Sequence, residues 1–194
     1  MKLYLSIIGI AMVLIAVPNI VFGVAPWYYV LAAVLWCVVL LFALDGLIAI
    51  LIRLTPDRYY GIENPHFDVS EKAVRLYKRL HIRSWKDKVW ELGGIGGFSK
   101  RNLSDPNNPE YIEKFIIECN KGVVTHRLAY PIGFLVMLTL SGPCAFTIAL
   151  PTAVVNLFLS ALPTMVLRYN TPPLKRLLAR MRAKQGSKTH EQVG

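Results

Sequence analysis

Two stretches of the chain, residues 3–44 and 128–167, contain no Asp, Glu, Lys or Arg, and all 22 basic and 12 acidic residues lie outside them. A charged side chain at the bilayer centre costs roughly 2.5–3.5 kcal/mol on insertion scales, and an uncharged apolar run of about 20 residues is long enough to cross a bilayer. Each run can therefore hold two spans. The pattern predicts an all-α integral membrane protein with four transmembrane helices in two hairpins and amphipathic interfacial helices on the cytoplasmic face.

The first run is interrupted at Pro18, Asn19, Gly23 and Pro26, which divides it into spans near 3–22 and 27–51. Trp27, Tyr28 and Tyr29 open the second like an aromatic interfacial anchor. A cleaved signal peptide is the rival reading of residues 1–25, with small residues at 23–25, but Pro26 and a second apolar run follow directly. The second run breaks at Ser141–Cys144, giving spans near 123–141 and 145–167. Starting the third at Leu128 would leave it too short to cross, so His126 and Arg127 fall in its first turn, where Arg127 can snorkel to the headgroups. A re-entrant second hairpin is the alternative.

Charge then orients the chain. Residues 53–127 hold fourteen Lys and Arg, and seven more follow from Arg168 onward. The positive-inside rule places both segments in the cytoplasm, and Lys2 agrees. The expected location is the cell membrane, multi-pass, with both termini cytoplasmic. The four expected parts are a hairpin at 1–52, a cytoplasmic segment at 53–122, a hairpin at 123–167 and a basic amphipathic tail at 168–194. The net charge of +10 reads as contact with anionic membrane lipids, with no nucleic-acid partner.

Within the cytoplasmic segment, Ala73, Val74, Tyr77 and Leu80 recur at helical spacing and predict a basic amphipathic helix over 69–80, capped by Asp68 or Ser70. Trp85 and Trp90 suit an interface, and Arg83, Lys86 and Lys88 suit phosphates. The glycine-rich run 93–101 lacks the Gly-Lys-Ser/Thr ending of a phosphate-binding loop; it can be a ligand cradle or a plain turn. Residues 104–110 read as a loop, followed by a helix that runs into the third span. Beyond the fourth span, Pro172 and Pro173 are expected to stop the helix. Leu174, Leu177, Leu178 and Met181 then mark a second basic amphipathic helix, and 186–194 is expected to be disordered.

His126 is the sharpest chemical candidate, an imidazole at the membrane boundary suited to general-base work. Glu118, eight residues earlier, can orient it or bind substrate. Cys119 and His126 share a helix face, which leaves a nucleophile pair or a small buried apolar residue as readings of the cysteine. Asp45 is an intramembrane carboxylate or one that reaches the interface. The three cysteines imply no disulfide framework, no metal-ligand set is spaced to form a site, and no cofactor is expected.

Five segments then occur in order: Thr55–Tyr60 (TPDRYY), Ile82–Asp87 (IRSWKD), Gly97–Arg101 (GFSKR), Tyr111–Glu118 (YIEKFIIE) with His126 behind it, and Arg168–Leu178 (RYNTPPLKRLL). Over residues 53–178 the chain resembles the glycosyl-4,4'-diaponeurosporenoate acyltransferases, membrane proteins that esterify the sugar of a glycosylated carotenoid acid with a fatty acyl chain. The resemblance implies catalytic roles for His126 and Glu118, and substrate contacts for Trp85, Lys86, Phe98, Lys100, Arg168, Tyr169 and Asn170. The family pattern tends to carry Glu-Leu-x-His-Trp around the histidine, where this chain has Val123 to Arg127. If that glutamate orients the histidine, this protein uses another carboxylate, such as Glu118, or has lost or changed the activity.

The reading is a membrane O-acyltransferase that transfers a fatty acyl group from a donor such as acyl-CoA to a hydroxyl of a glycolipid or similar amphiphile. A non-catalytic lipid-binding or assembly subunit is the alternative. A transporter is weaker, because the spans hold almost no ionisable groups.

Overall fold

A computed structural model of the chain describes residues 2–89 and 103–191, with side chains over 4–89 and 103–186. The described residues are helical and contain no strand. The elements are α1 (Lys2–Val21), α2 (Trp27–Leu54), α3 (Glu71–Arg79), α4 (Ile82–Trp85), α5 (Pro109–Gly133) and α6 (Leu150–Glu191). Four candidate spans, Tyr4–Val21, Trp27–Leu54, Pro109–Thr139 and Ala145–Gly186, are long and apolar enough to cross a membrane. Leu14, Trp36, Leu138 and Phe158 are at least half exposed on these spans. Such a spread of large apolar side chains suits a lipid-facing surface. The protein is a membrane protein of four long helices.

α5 and α6 run antiparallel. Tyr130 Oη donates to Thr164 Oγ1 at 3.0 Å, and Arg182 pairs with Glu113 nearer the other end of α5. Ile112, Phe115, Ile116, Cys119 and Val123 of α5 pack with Leu167, Leu174 and Leu178 of α6 in one buried cluster. The expected break at Pro172–Pro173 does not occur: α6 continues through both prolines. Leu174 and Leu178 anchor its distal half on α5, and Lys175 Nζ donates to Ile62 O at 2.7 Å and pairs with Asp68 at 2.8 Å. Tertiary contacts on both sides of the prolines thus override the local preference to stop. The disorder expected from 186 is likewise not seen up to Glu191, where the backbone is helical.

Prolines also explain how α1 is attached. A proline cannot donate to the carbonyl four residues before it. Pro151 frees Thr147 O and Pro163 frees Leu159 O. Asn19 Nδ2 donates to Thr147 O at 3.0 Å, and Tyr4 Oη donates to Leu159 O at 3.3 Å. Two α1 side chains therefore donate to two carbonyls that face prolines, one in the turn before α6 and one in α6, and they hold α1 antiparallel along the fourth span.

Ser70 caps α3 by accepting from Ala73 N at 3.3 Å. The helix ends at His81, whose φ of 51° is left-handed. Trp85 Nε1 then donates to Leu80 O at 2.9 Å, satisfying a terminal carbonyl. α3 and α4 pack on α6 through Tyr77 and Ile82, which share a buried cluster with Tyr4 and Val166.

Candidate functional site

α1, α2, α5 and α6 enclose a cavity of about 550 Å³. Its α5 wall is Lys114, Glu118, Lys121, Gly122, Thr125, His126 and Ala129, a stripe that helical periodicity places on one side. Arg53, Lys114, Glu118 and Lys121 gather charge at one end of the cavity. Ile8, Met12, Ile15, Val34, Val38 and Leu41 make the other end apolar.

Local packing sets this stripe. Lys121 Nζ pairs with Asp57 Oδ1 at 2.5 Å and lies 5.6 Å from the Tyr60 ring centre. The neighbouring Asn120 donates to Tyr60 O at 2.9 Å. The turn after α2 is thereby clamped to the middle of α5. Thr125 Oγ1 returns to Lys121 O at 3.0 Å, which satisfies the hydroxyl within its own helix.

Deeper in the cavity, Asp45 of α2 and Asn156 of α6 are neighbours. Yet Asp45 Oδ1 and Asn156 Nδ2 are each buried without a hydrogen bond. Gly133 makes room for this pair: a Cβ there would stand 3.0 Å from Asn156 Nδ2 and 3.5 Å from Leu41 Cδ2. The two side chains are thus each other's polar neighbours in the cavity, with Thr152 and Ser160 also in its α6 wall.

The expected site residues separate into groups. His126 and Glu118 line the same cavity. Trp85 and Tyr169 instead pack in the cluster between α3, α4 and α6. Arg168 Nε donates to Tyr77 Oη at 3.2 Å and its Nη2 to Asp68 O at 3.3 Å. Lys86 is half-buried in the turn after α4, and Asn170 is half-buried on α6. None of these five lines the cavity. Phe98, Lys100, Trp90 and the glycine-rich run 93–101 lie outside the described residues.

Cys119 is fully buried in the apolar α5–α6 cluster and does not line the cavity. Val123, where the family pattern has glutamate, is 1 % exposed in that same cluster. Sequence reasoning missed Arg53, Lys114, Lys121 and Asn156 as cavity residues. The signal for Asn156 was present: it is the sole Asn or Gln in the run 128–167. Among the described residues, no group of His, Cys, Asp and Glu could hold a metal ion.

Comparison with known proteins agrees with the family resemblance. The family model described as glycosyl-4,4'-diaponeurosporenoate acyltransferase matches residues 56–180. No curated protein and no solved structure matches the chain. With more than half of its length matched, the chain belongs to the glycosyl-4,4'-diaponeurosporenoate acyltransferase family.

Proposed function

We propose that this chain is a membrane O-acyltransferase that esterifies a hydroxyl of an amphiphilic acceptor, a glycolipid such as the glycosylated carotenoid acid of the family name. The observation that carries the reading is the shared cavity: His126 and Glu118 line one chamber with a charged mouth and an apolar depth. An amphiphile needs both environments at once.

His126 acts as general base. It takes the proton of the acceptor hydroxyl as the oxygen attacks the acyl carbonyl carbon. The tetrahedral intermediate collapses, the ester C–O bond remains and the donor's leaving group departs, taking up a proton. A thioester donor such as acyl-CoA fits this balance, and the basic mouth attracts its phosphates. The acyl tail occupies the apolar part of the cavity.

Helix spacing supports different roles for the two carboxylates. Eight residues separate Glu118 from His126, about 12 Å along the axis. Glu118 therefore suits hydroxyl binding at the mouth better than orientation of the imidazole. Leu41 meets the Gly133 position, and with α2 and α5 packed side by side Asp45 lies within roughly 5–9 Å of the height of His126. Asp45 is the better candidate for the role that the family's glutamate would play at Val123.

The two-hairpin topology, with both termini in the cytoplasm of a cell-membrane protein, belongs to the same proposal. Antiparallel contacts of α6 with α1 and α5 support it. A Ser141→Cys variant tests it, since Ser141 is exposed. Labelling from outside intact cells supports the topology; labelling only from the cytoplasmic side rejects it.

The second reading is a non-catalytic lipid-binding or assembly subunit, favoured by the apolar burial of Val123. Lipid mass spectrometry decides between them. Cells that make the glycosylated carotenoid acid would carry the wild-type chain or His126→Ala and receive labelled fatty acid. An acceptor gaining one acyl chain only with wild type supports transfer. Equal lipid profiles for wild type, variant and empty cells, with the protein inserted, favour the subunit.

A further inference from the structure

Outside the cavity, two arginines meet without a carboxylate. Arg127 is the last charged residue before the uncharged run 128–167, and Arg168 is the first after it. Antiparallel packing of α5 on α6 brings these two ends to one level. Both guanidinium groups then converge on the short turn at residues 66–68. Arg127 Nη1 lies 3.4 Å from His66 Nε2, and Arg168 Nη2 donates to Asp68 O at 3.3 Å. Arg168 Nε is held by Tyr77 Oη, while its Nη1 is buried with no hydrogen bond.

The acidic side chain of the 66–68 turn does not neutralise them. The carboxylate of Asp68 is taken by Lys175 at 2.8 Å. Neither Arg127 nor Arg168 makes a salt bridge among the described residues. The antiparallel register of α5 on α6 puts the two arginines at one level, with Arg168 held by the hydroxyl of Tyr77. Two guanidinium charges at one level with no carboxylate between them repel, and a bound anion relieves that repulsion.

We propose that Arg127 and Arg168, held at the 66–68 turn, form a binding site for a phosphoryl group. Guanidinium forks match the oxygens of a phosphate, and paired arginines are a common means of holding one. The position of both residues at the edge of the uncharged run places this site where the headgroup of a phosphorylated amphiphile would lie. The proposal does not depend on acyl transfer, because binding alone reads it.

The test uses the full chain in a neutral detergent, titrated with dioctanoyl phosphatidate, dioctanoylglycerol or inorganic phosphate. Wild type is expected to bind the phosphatidate saturably and to ignore dioctanoylglycerol. Arg168→Gln and Arg127→Gln are each expected to weaken binding about tenfold, a typical loss for one charge-assisted contact. Arg75→Gln, which removes an exposed arginine of α3 paired with Glu71, should leave affinity unchanged. Saturable binding of inorganic phosphate with equal affinity and the same dependence on both arginines would keep the site but assign it to free phosphate. If Arg168→Gln does not fold, Arg127→Gln decides, since its side chain makes a single long hydrogen bond. Unchanged affinity in both arginine variants, an equal loss in Arg75→Gln, or no saturable binding by wild type would each overturn the proposal.

Discussion

His126 and Arg127 are consecutive in sequence and serve different places. The first lines the cavity among α1, α2, α5 and α6; the second faces the 66–68 turn with Arg168. One residue along a helix is a turn of about 100°, enough to move a side chain from one wall to the next. The two places also differ in construction. The cavity draws its polar groups from helices distant in sequence, whereas the arginine pair is framed by a short turn, one tyrosine of α3 and the boundary residues of two spans. Motif spacing groups all these residues together, and packing divides them into a chamber and an outer basic site.

That division can be broken most sharply at His126. In His126→Ala, acyl transfer is expected to fall by at least about 100-fold, while affinity for dioctanoyl phosphatidate stays at the wild-type value. Parallel loss of both in a folded variant would merge the two places into one. Next comes the cavity floor. Gly133→Leu drives carbon toward Asn156 and Leu41, and overpacking of this kind typically destabilises by about 1–3 kcal/mol. A thermal melt together with the transfer assay checks it, and an unchanged melt with full turnover would mean that the floor yields freely.

A smaller effect is expected on the attachment of α1. Asn19→Ala removes the side-chain donor to Thr147 O and leaves that carbonyl freed by Pro151, for a loss of about 1–2 kcal/mol. A melt within error of wild type would show that the carbonyl finds another donor. The smallest change lies on the outer side. Ser70→Ala removes the α3 cap and should lower stability by about 1 kcal/mol, measured by urea titration in detergent, without altering turnover. Loss of turnover there would tie α3 to the chamber.

Much of this architecture was legible in the chain. The two uncharged runs located the four long apolar helices, Ser70 was a readable cap, and the residues after the 104–110 loop were readable as a helix running into the third span. The continuity of α6 was not. Proline preferences are local, whereas Leu174, Leu178 and Lys175 hold the helix through contacts with distant residues. The cavity was half legible: His126 and Glu118 stood out by type and place, while Asp45 needed its partner Asn156 on α6 to become informative. Lone amides proved to be the overlooked cue. Asn19 and Asn156 are the sole Asn or Gln in their uncharged runs, one stitching α1 to the turn that leads into α6 and the other facing Asp45.

The length of α6 carries a mechanical consequence. Its 42 residues extend about 63 Å at 1.5 Å per residue. A hydrocarbon layer about 30 Å thick uses roughly 39 Å of that even at a 40° tilt. At least about 24 Å of the rod must therefore stand clear of the hydrocarbon. Sliding it inward by one turn, about 5.4 Å, would carry Arg168 into the edge of the oily layer, a move that the cost of desolvating its charge opposes. Such a helix is a ruler with its zero mark at Arg168: it sets how deep the whole bundle floats, and thereby the height at which the chamber opens.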